Sequence, residues 1–305
     1  MAELQVSPAG MDTSGADTDG AEPAAGKRSD YYLKVLSFVA SNAWCGENIA
    51  VQNYSEMVPL MPTVEGKIEA VNQAKEEAKH ILLLEKLAER LGFPIDETML
   101  QDDWPKVRAT FHEAAQKGDL AACLIIQDLM IESLAVGIYS TFANDDNKDT
   151  ETRRVAASLL KDEIDHLDIG LRRIGEQMAI DSESVHDSLV WAHNRIMPCL
   201  FNMVHTACDF LCERKDVPCQ AEMAFVQDGV LHLSGERKGG DYIDLDRLKI
   251  ASLEHYVSML DRAGFNLSTT NQLVASMSAY EVPGRTDLGI RHLLQPKPAA
   301  QTAHA

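Results

Sequence analysis

From Asp30 onward, apolar positions recur along the chain with a helical period, and the periodic stretches are separated by short breaks rich in Pro, Gly, Asn and Asp. The spacing predicts a first helix from Asp30, as its cap, to about Val58, where Pro59 and Pro62 end it. A second runs from about Val64 to Leu91 and stops at Gly92-Phe93-Pro94. Residues 95–118 form a connector with a short helix near Lys106–Lys117. The third long helix, about Leu120–Phe142, is the most apolar. A polar loop from Asn144 separates it from a fourth, about Thr150–Met178. Further helices are expected at about Ser184–Arg214, Leu245–Ala263 and Ser268–Ala279. Two short β-type runs around Asp228-Gly229 predict a small hairpin. The fold class is therefore all-α: a four-helix bundle with extra C-terminal helices and a small inserted β-hairpin. Residues 30–280 form the domain, with an insert at about 214–241. Residues 1–29 are a disordered tail and 281–305 a loose one.

Polar residues interrupt the apolar faces at informative places. Glu77-Ala78-Lys79-His80 and Glu163-Ile164-Asp165-His166 are two copies of Glu-x-x-His, and a lone Glu precedes each at a similar distance, Glu47 and Glu132. Residues i and i+3 share a helix face, so each copy aims a carboxylate and an imidazole the same way. Two such helices and one inward Glu from each of two others form the ligand set of ferritin-like di-iron and di-manganese bundles. Four carboxylates offset the charge of two divalent ions, and an oxygen-rich set with two imidazoles suits iron or manganese. Glu132 is the strongest single pointer. It lies inside Leu124-Ile-Ile-Gln-Asp-Leu-Met-Ile-Glu-Ser-Leu-Ala-Val-Gly-Ile-Tyr139, where an unpaired carboxylate would be costly. The metal-ligand candidates are thus Glu47, Glu77, His80, Glu132, Glu163 and His166.

The two halves echo each other: Glu47-Asn-Ile-Ala-Val-Gln-Asn-Tyr54 parallels Glu132-Ser-Leu-Ala-Val-Gly-Ile-Tyr139. Tyr54 and Tyr139 are candidates to line the pocket or hold water near the metals, against plain packing. Asp162 and Glu76 each precede a ligand Glu, so either could reach the opposite His. Asp162 is favoured, because Glu76 lies in a strongly charged, solvated stretch. Asp128, one turn before Glu132, is a candidate to support the ligands, face the substrate or pair with a Lys or Arg. His112, His193, His205 and His255 have no partner at ligand spacing and read as satisfied or surface histidines.

Net charge is −19, which argues against a nucleic-acid partner. Six Cys at 45, 123, 199, 208, 212 and 219 show no paired metal spacing and read as buried free thiols. No apolar run approaches about 18 residues, so no membrane span is expected. No signal-peptide pattern opens the chain, and a cytoplasmic location is expected.

The stretch Leu124–Tyr139, with Lys161-Asp-Glu-Ile-Asp-His166 and, later, Gly264-Phe265 and Met277-Ser-Ala-Tyr280, resembles the aldehyde-deformylating oxygenases (aldehyde decarbonylases) of the ferritin-like superfamily. The resemblance covers about Asp30 to Tyr280, and its six ligands fall on the six residues named above. It implies a non-haem di-iron oxygenase with two Fe2+ ions, O2 as co-substrate, a small-molecule substrate, and an external donor of ferredoxin or flavin-reductase type. Lys148, Arg153 and Arg154 form a basic patch that could meet such a donor. Three features depart from that family. Glu132-Ser-Leu-Ala-Val replaces Glu-Cys-Phe-Ala-Ile, Asp128 stands where a small or thiol side chain is expected, and Arg214–Asp241 looks inserted. A long apolar aldehyde needs an apolar channel. These departures put a fatty aldehyde in doubt. The chain also resembles the N-oxygenase relatives of that family, such as the azoxy-forming enzyme of the valanimycin type, a resemblance that implies N-oxygenation of a small amine or hydrazine in antibiotic biosynthesis. The alternatives are deformylation of an aldehyde to alkane and formate, or a metal-binding bundle without catalysis.

Overall fold

The computed structural model describes residue 28 and residues 30–100, 103–144, 150–211, 225–227, 230–232 and 245–265. The expected helix at 268–279, most of the insert and, apart from Arg28, both tails lie outside these residues. Helix α1 spans Asp30–Met57 and passes through a 3-10 turn, Val58–Leu60, that carries Pro59. Helix α2 spans Val64–Leu91. Thr63 caps it by accepting from the Gly66 amide at 3.0 Å, and Gly92 ends it in the left-handed conformation (φ 76°). A 3-10 turn at Glu97–Leu100 leads to α3, Trp104–Gln116, which has Pro105 in its first turn.

The most apolar helix is continuous from Leu120 to Asn144 but not uniform. It opens as α4 (Leu120–Leu124), capped by Asp119, widens into a π-helix over Ile125–Ile131, and returns to α geometry as α5 (Glu132–Asn144). The Glu132 amide bonds the Gln127 carbonyl, five residues back. By length and composition this helix could cross a membrane, which corrects the expectation that no stretch approaches that length. Most of its apolar window is buried in protein, so the apolar character is accounted for by core packing.

Helices α6 (Thr150–Ile180) and α7 (Ser182–Leu211) follow, and α8 (Leu245–Arg262) comes last among the described helices. Strands β1 (Phe225–Gln227) and β2 (Val230–His232) pair antiparallel, with Val226 opposite Leu231. The bundle is two helical hairpins: α1 packs mainly on α2, and α5 mainly on α6. Helices α3 and α7 close one side, and α8 lies on α5. The larger apolar cluster runs through Tyr54, Phe111, Leu124, Ile126, Leu189 and Tyr256. A second, at the other end, gathers Tyr32, Leu84, Phe93, Leu159 and Leu248.

Helix α8 approaches α5 backbone to backbone at Gly137. A Cβ there would lie 2.4 Å from the Ser252 Cα and 2.7 Å from its amide nitrogen. Gly137→Ala is expected to destabilise the protein by about 1–3 kcal/mol through overpacking, although alanine is otherwise the better helix former. Urea unfolding checks this; an unchanged or raised midpoint would contradict so close a contact.

Candidate di-metal centre

Four of the long helical segments contribute to one buried cluster. Helix α1 brings Glu47 and α2 brings Glu77 and His80. Helix α5 brings Glu132, its first residue after the π segment, and α6 brings Glu163 and His166. All six are buried. Their ligating atoms form two groups, each within 4.8 Å: Glu47, Glu77, His80 and Glu163, and Glu77, Glu132, Glu163 and His166. Glu77 and Glu163 belong to both. Both imidazoles turn Nδ1 inward. His80 Nδ1 lies 3.1 Å from Glu77, 3.1 Å from Glu163 and 3.3 Å from Glu47. His166 Nδ1 lies 3.0 Å from Glu77 and 3.6 Å from Glu163.

The outward nitrogens are held as well. His80 Nε2 is 3.3 Å from Asp162 of α6, and His166 Nε2 is 2.9 Å from Glu76 of α2. The charged neighbours of Glu76 in sequence favour solvent for its carboxylate. Its carboxylate is about one-third exposed, yet it makes the shorter of the two contacts. Position explains this: each acid precedes a ligand Glu on its own helix, so each meets the imidazole across the bundle. The two tyrosines cross over too. Tyr54 of the first hairpin donates to Glu132 of the second at 2.8 Å, and Tyr139 of the second donates to Glu47 of the first.

Four polar residues at the site went unnoticed in the sequence. Gln127 donates to Glu132 Oε1 at 2.8 Å and accepts from Asn53 at 2.7 Å. Gln73 donates to the Tyr54 hydroxyl at 3.1 Å, and Arg173 donates to Gln73 at 3.0 Å. Gln73 is one α-turn before Glu77 and Arg173 two turns after His166, a signal available from spacing. Gln127 gave no such signal, because residues five apart stack only in a π-helix.

The same widening corrects the placement of Asp128. A regular α-helix would set it beneath Glu132, but in the π segment it faces α6 instead. A Cβ on Gly170 would fall 2.1 Å from the Asp128 Cβ, so that glycine is what admits the acid. Asp128 is 0 % exposed, neither carboxylate oxygen has a hydrogen-bond partner meeting ordinary geometry, and Arg173 stands 3.8 Å away. Burial raises its pKa to about 6, opposed chiefly by Arg173.

The electrostatics of the six suit a cationic occupant. Burial, then repulsion from Glu163 and Glu77, raises Glu47 and Glu132 well above ordinary carboxylates. Burial acts on Glu77 and Glu163 in the same direction. It is outweighed by hydrogen bonds, from Glu47, His166 and His80 for the first and from Glu132, His166 and His80 for the second, which hold both low. Burial opposes a charge on the two imidazoles, but hydrogen bonds, that to Glu163 first, raise both. Glu77 Oε1, both Glu163 oxygens and His166 Nδ1 are buried with no hydrogen-bond partner of good geometry. Such atoms, in a set of four carboxylates and two imidazoles, fit a pair of divalent iron or manganese ions.

Of the other candidates, His112 bonds Glu56 at 2.6 Å and buried His193 bonds Tyr256 at 3.1 Å. His255 is half-buried; the His205 side chain lies outside the described residues. Cys45, Cys123 and Cys199 are free, and burial pushes the Cys45 thiol to about 11 and the Cys123 thiol to about 12. In the expected basic patch Arg154 is engaged by Glu151 at 2.8 Å, and Lys148 lies outside the described residues.

The fold is shared with known proteins. Among solved structures, a protein from Synechococcus with aldehyde deformylating oxidase activity is similar at a TM-score of 0.64 and 18% identity, over 81% of this chain and 98% of that one. An R2-like ligand-binding oxidase from Sulfolobus acidocaldarius is matched at a TM-score of 0.44 and 18% identity, over 59% of this chain and 73% of that one. The family model for long-chain fatty aldehyde decarbonylase matches residues 29–216, more than half of the chain. The protein is therefore a member of the long-chain fatty aldehyde decarbonylase family, ferritin-like enzymes of the di-iron oxidase and oxygenase type.

Proposed function

We propose that this enzyme uses O2 to oxygenate nitrogen in a small amine or hydrazine. The observation that carries the substrate class is the buried charged pair beside the centre, Asp128 with Arg173. Neither Asp128 oxygen has a hydrogen bond of ordinary geometry, with the Tyr54 hydroxyl and Arg173 as its polar neighbours, so the carboxylate can still accept from an N–H donor. A long alkyl chain laid against Asp128 would leave its buried carboxylate without a well-placed donor, whereas an N–H-bearing substrate would satisfy it. Glu47, Glu77, His80, Glu132, Glu163 and His166 would hold two iron ions, with Glu77 and Glu163 common to both. Those ions, when ferrous, supply electrons and open coordination positions for O2. Asp162 and Glu76 hold the imidazoles with Nδ1 inward. Tyr54 and Tyr139 occupy one carboxylate oxygen each on Glu132 and Glu47, leaving the other for metal. An external ferredoxin or flavin-type donor would restore the ferrous state.

Family membership favours a second reading, deformylation of an aldehyde. Incubating the iron-loaded, reduced enzyme with 18O2 and either an alkylhydrazine or a mid-chain aldehyde separates the two. Label is expected in the N-oxygenated product of the hydrazine. Label in formate released from the aldehyde, with none in the hydrazine product, would establish the second reading instead, and label in neither would remove both.

A further inference from the structure

We propose that Arg173 is a positioning residue: it fixes the direction of a hydrogen-bond chain ending on Glu132, making the Glu132–His166 metal position the tighter of the two. This rests on the di-metal reading above. Arg173 is on α6, two turns beyond His166, and only 4% exposed. One terminal nitrogen donates to Gln73 Oε1 at 3.0 Å, the other to Glu69 at 3.0 Å and to the Gly66 carbonyl at 3.3 Å. A guanidinium has donors and no acceptor. Gln73 must therefore present its oxygen to Arg173 and its NH2 to the Tyr54 hydroxyl, at 3.1 Å. Having accepted that bond, Tyr54 has its proton to donate, and the well-formed bond is to Glu132 Oε1 at 2.8 Å, although the Asp128 carboxylate also lies beside the hydroxyl. The cation thus fixes which way the amide points and leaves the phenol to donate toward the carboxylates.

A second chain converges on the same atom. Asn53 donates to Gln127 and Gln127 donates to Glu132 Oε1. Two donors occupy Glu132 Oε1, so its other oxygen is the one presented to a metal, in a fixed orientation. Glu47 is held differently. Its Oε1 receives the Tyr139 hydroxyl, and among the described residues no side-chain amide or guanidinium stands behind that tyrosine. The two halves of the bundle repeat in sequence, yet among the described residues only one is wired to a fixed cation. Asp128, wedged against Gly170, lies 3.8 Å from the same guanidinium nitrogen that donates to Gln73, too far to take that bond.

The alternative is that Arg173 merely ties α6 to α2. Co(II) binding to the metal-depleted full-length chain distinguishes the two, read by visible absorbance and by bound metal. The wild type is expected to bind two Co(II) with two resolved affinities. Asp128→Ala combined with Arg173→Met removes the pair without stranding a charge. It should weaken the tighter site about 10–100-fold and leave the weaker one unchanged. Gln73→Glu keeps Arg173 partnered and should fold even if the double variant does not. Its carboxylate accepts from Tyr54 instead of donating, so the same site should weaken. Arg173→Lys, still a donor-only cation, should restore most of the affinity. Equal weakening of both sites, or a Gln73→Glu protein with wild-type affinities, overturns the proposal. A wild type that binds fewer than two Co(II) overturns the di-metal reading beneath it.

Discussion

Glu163→Ala is expected to cost the protein both metal ions, whereas Glu47→Ala or Glu132→Ala costs one. The difference follows from membership of the two ligand groups. Glu163 and Glu77 lie in both, and Glu47 and Glu132 in one each. Removing a shared carboxylate takes a ligand from each ion. It also leaves two closely spaced cations with less negative charge between them, so repulsion adds to the lost bonds. Removing Glu132 strips one ion of its own carboxylate and leaves the Glu47, Glu77, His80 and Glu163 group whole. Iron counted on gel-filtered protein after loading should read about two for the wild type, about one for either single-group variant, and near zero for Glu163→Ala. A Glu132→Ala protein with unchanged iron would contradict the assignment, as would a Glu163→Ala protein that keeps both ions.

Metal loading is expected to raise the thermal midpoint by about 10 °C or more. Without metal, four buried carboxylates and two imidazoles share too few protons to satisfy every polar atom, as Glu77 Oε1 and the Glu163 oxygens, which lack a hydrogen bond of good geometry, show. Ions that bind only the folded chain stabilise it by about 4 kcal/mol when free metal is 1,000-fold above the dissociation constant. For a domain of this size each kcal/mol moves the midpoint by about 2–4 °C. Binding displaces protons from the imidazoles, whose folded-state pKa values are raised, and from Glu47 and Glu132, raised likewise. The increment should therefore shrink as pH falls. Calorimetry with added Fe(II) and with chelator, under argon, measures it. Equal midpoints in the two conditions would mean that the cluster does not bind metal in the folded protein.

The long helices and the six clustered side chains were legible because both rest on α-helical period. Glu77 with His80 and Glu163 with His166 are one turn apart in regular helix, and the apolar setting of Glu132 made its carboxylate conspicuous. What escaped was set by departures from that period or by contacts between helices. The π segment moved Asp128 to α6 and brought Gln127 beneath Glu132, and nothing in the residues of Ile125–Ile131 announces a π-helix. Glu76 looked solvated because its neighbours in sequence are charged, although its partner comes from the opposite helix. Arg173 and Gln73 read as ordinary helix residues. Their significance lies in a pairing across 100 positions of sequence, which no local pattern encodes. The crossing of Tyr54 and Tyr139 to opposite halves is likewise a property of hairpin packing.

Two metal ions are expected to share Glu77 and Glu163 inside the bundle. Anomalous scattering at the iron edge from crystals of the iron-loaded protein tests it most directly. Two peaks are predicted between α2 and α6, one beside Glu47 and His80, the other beside Glu132 and His166. A single peak, or peaks outside the four-helix interior, would contradict it.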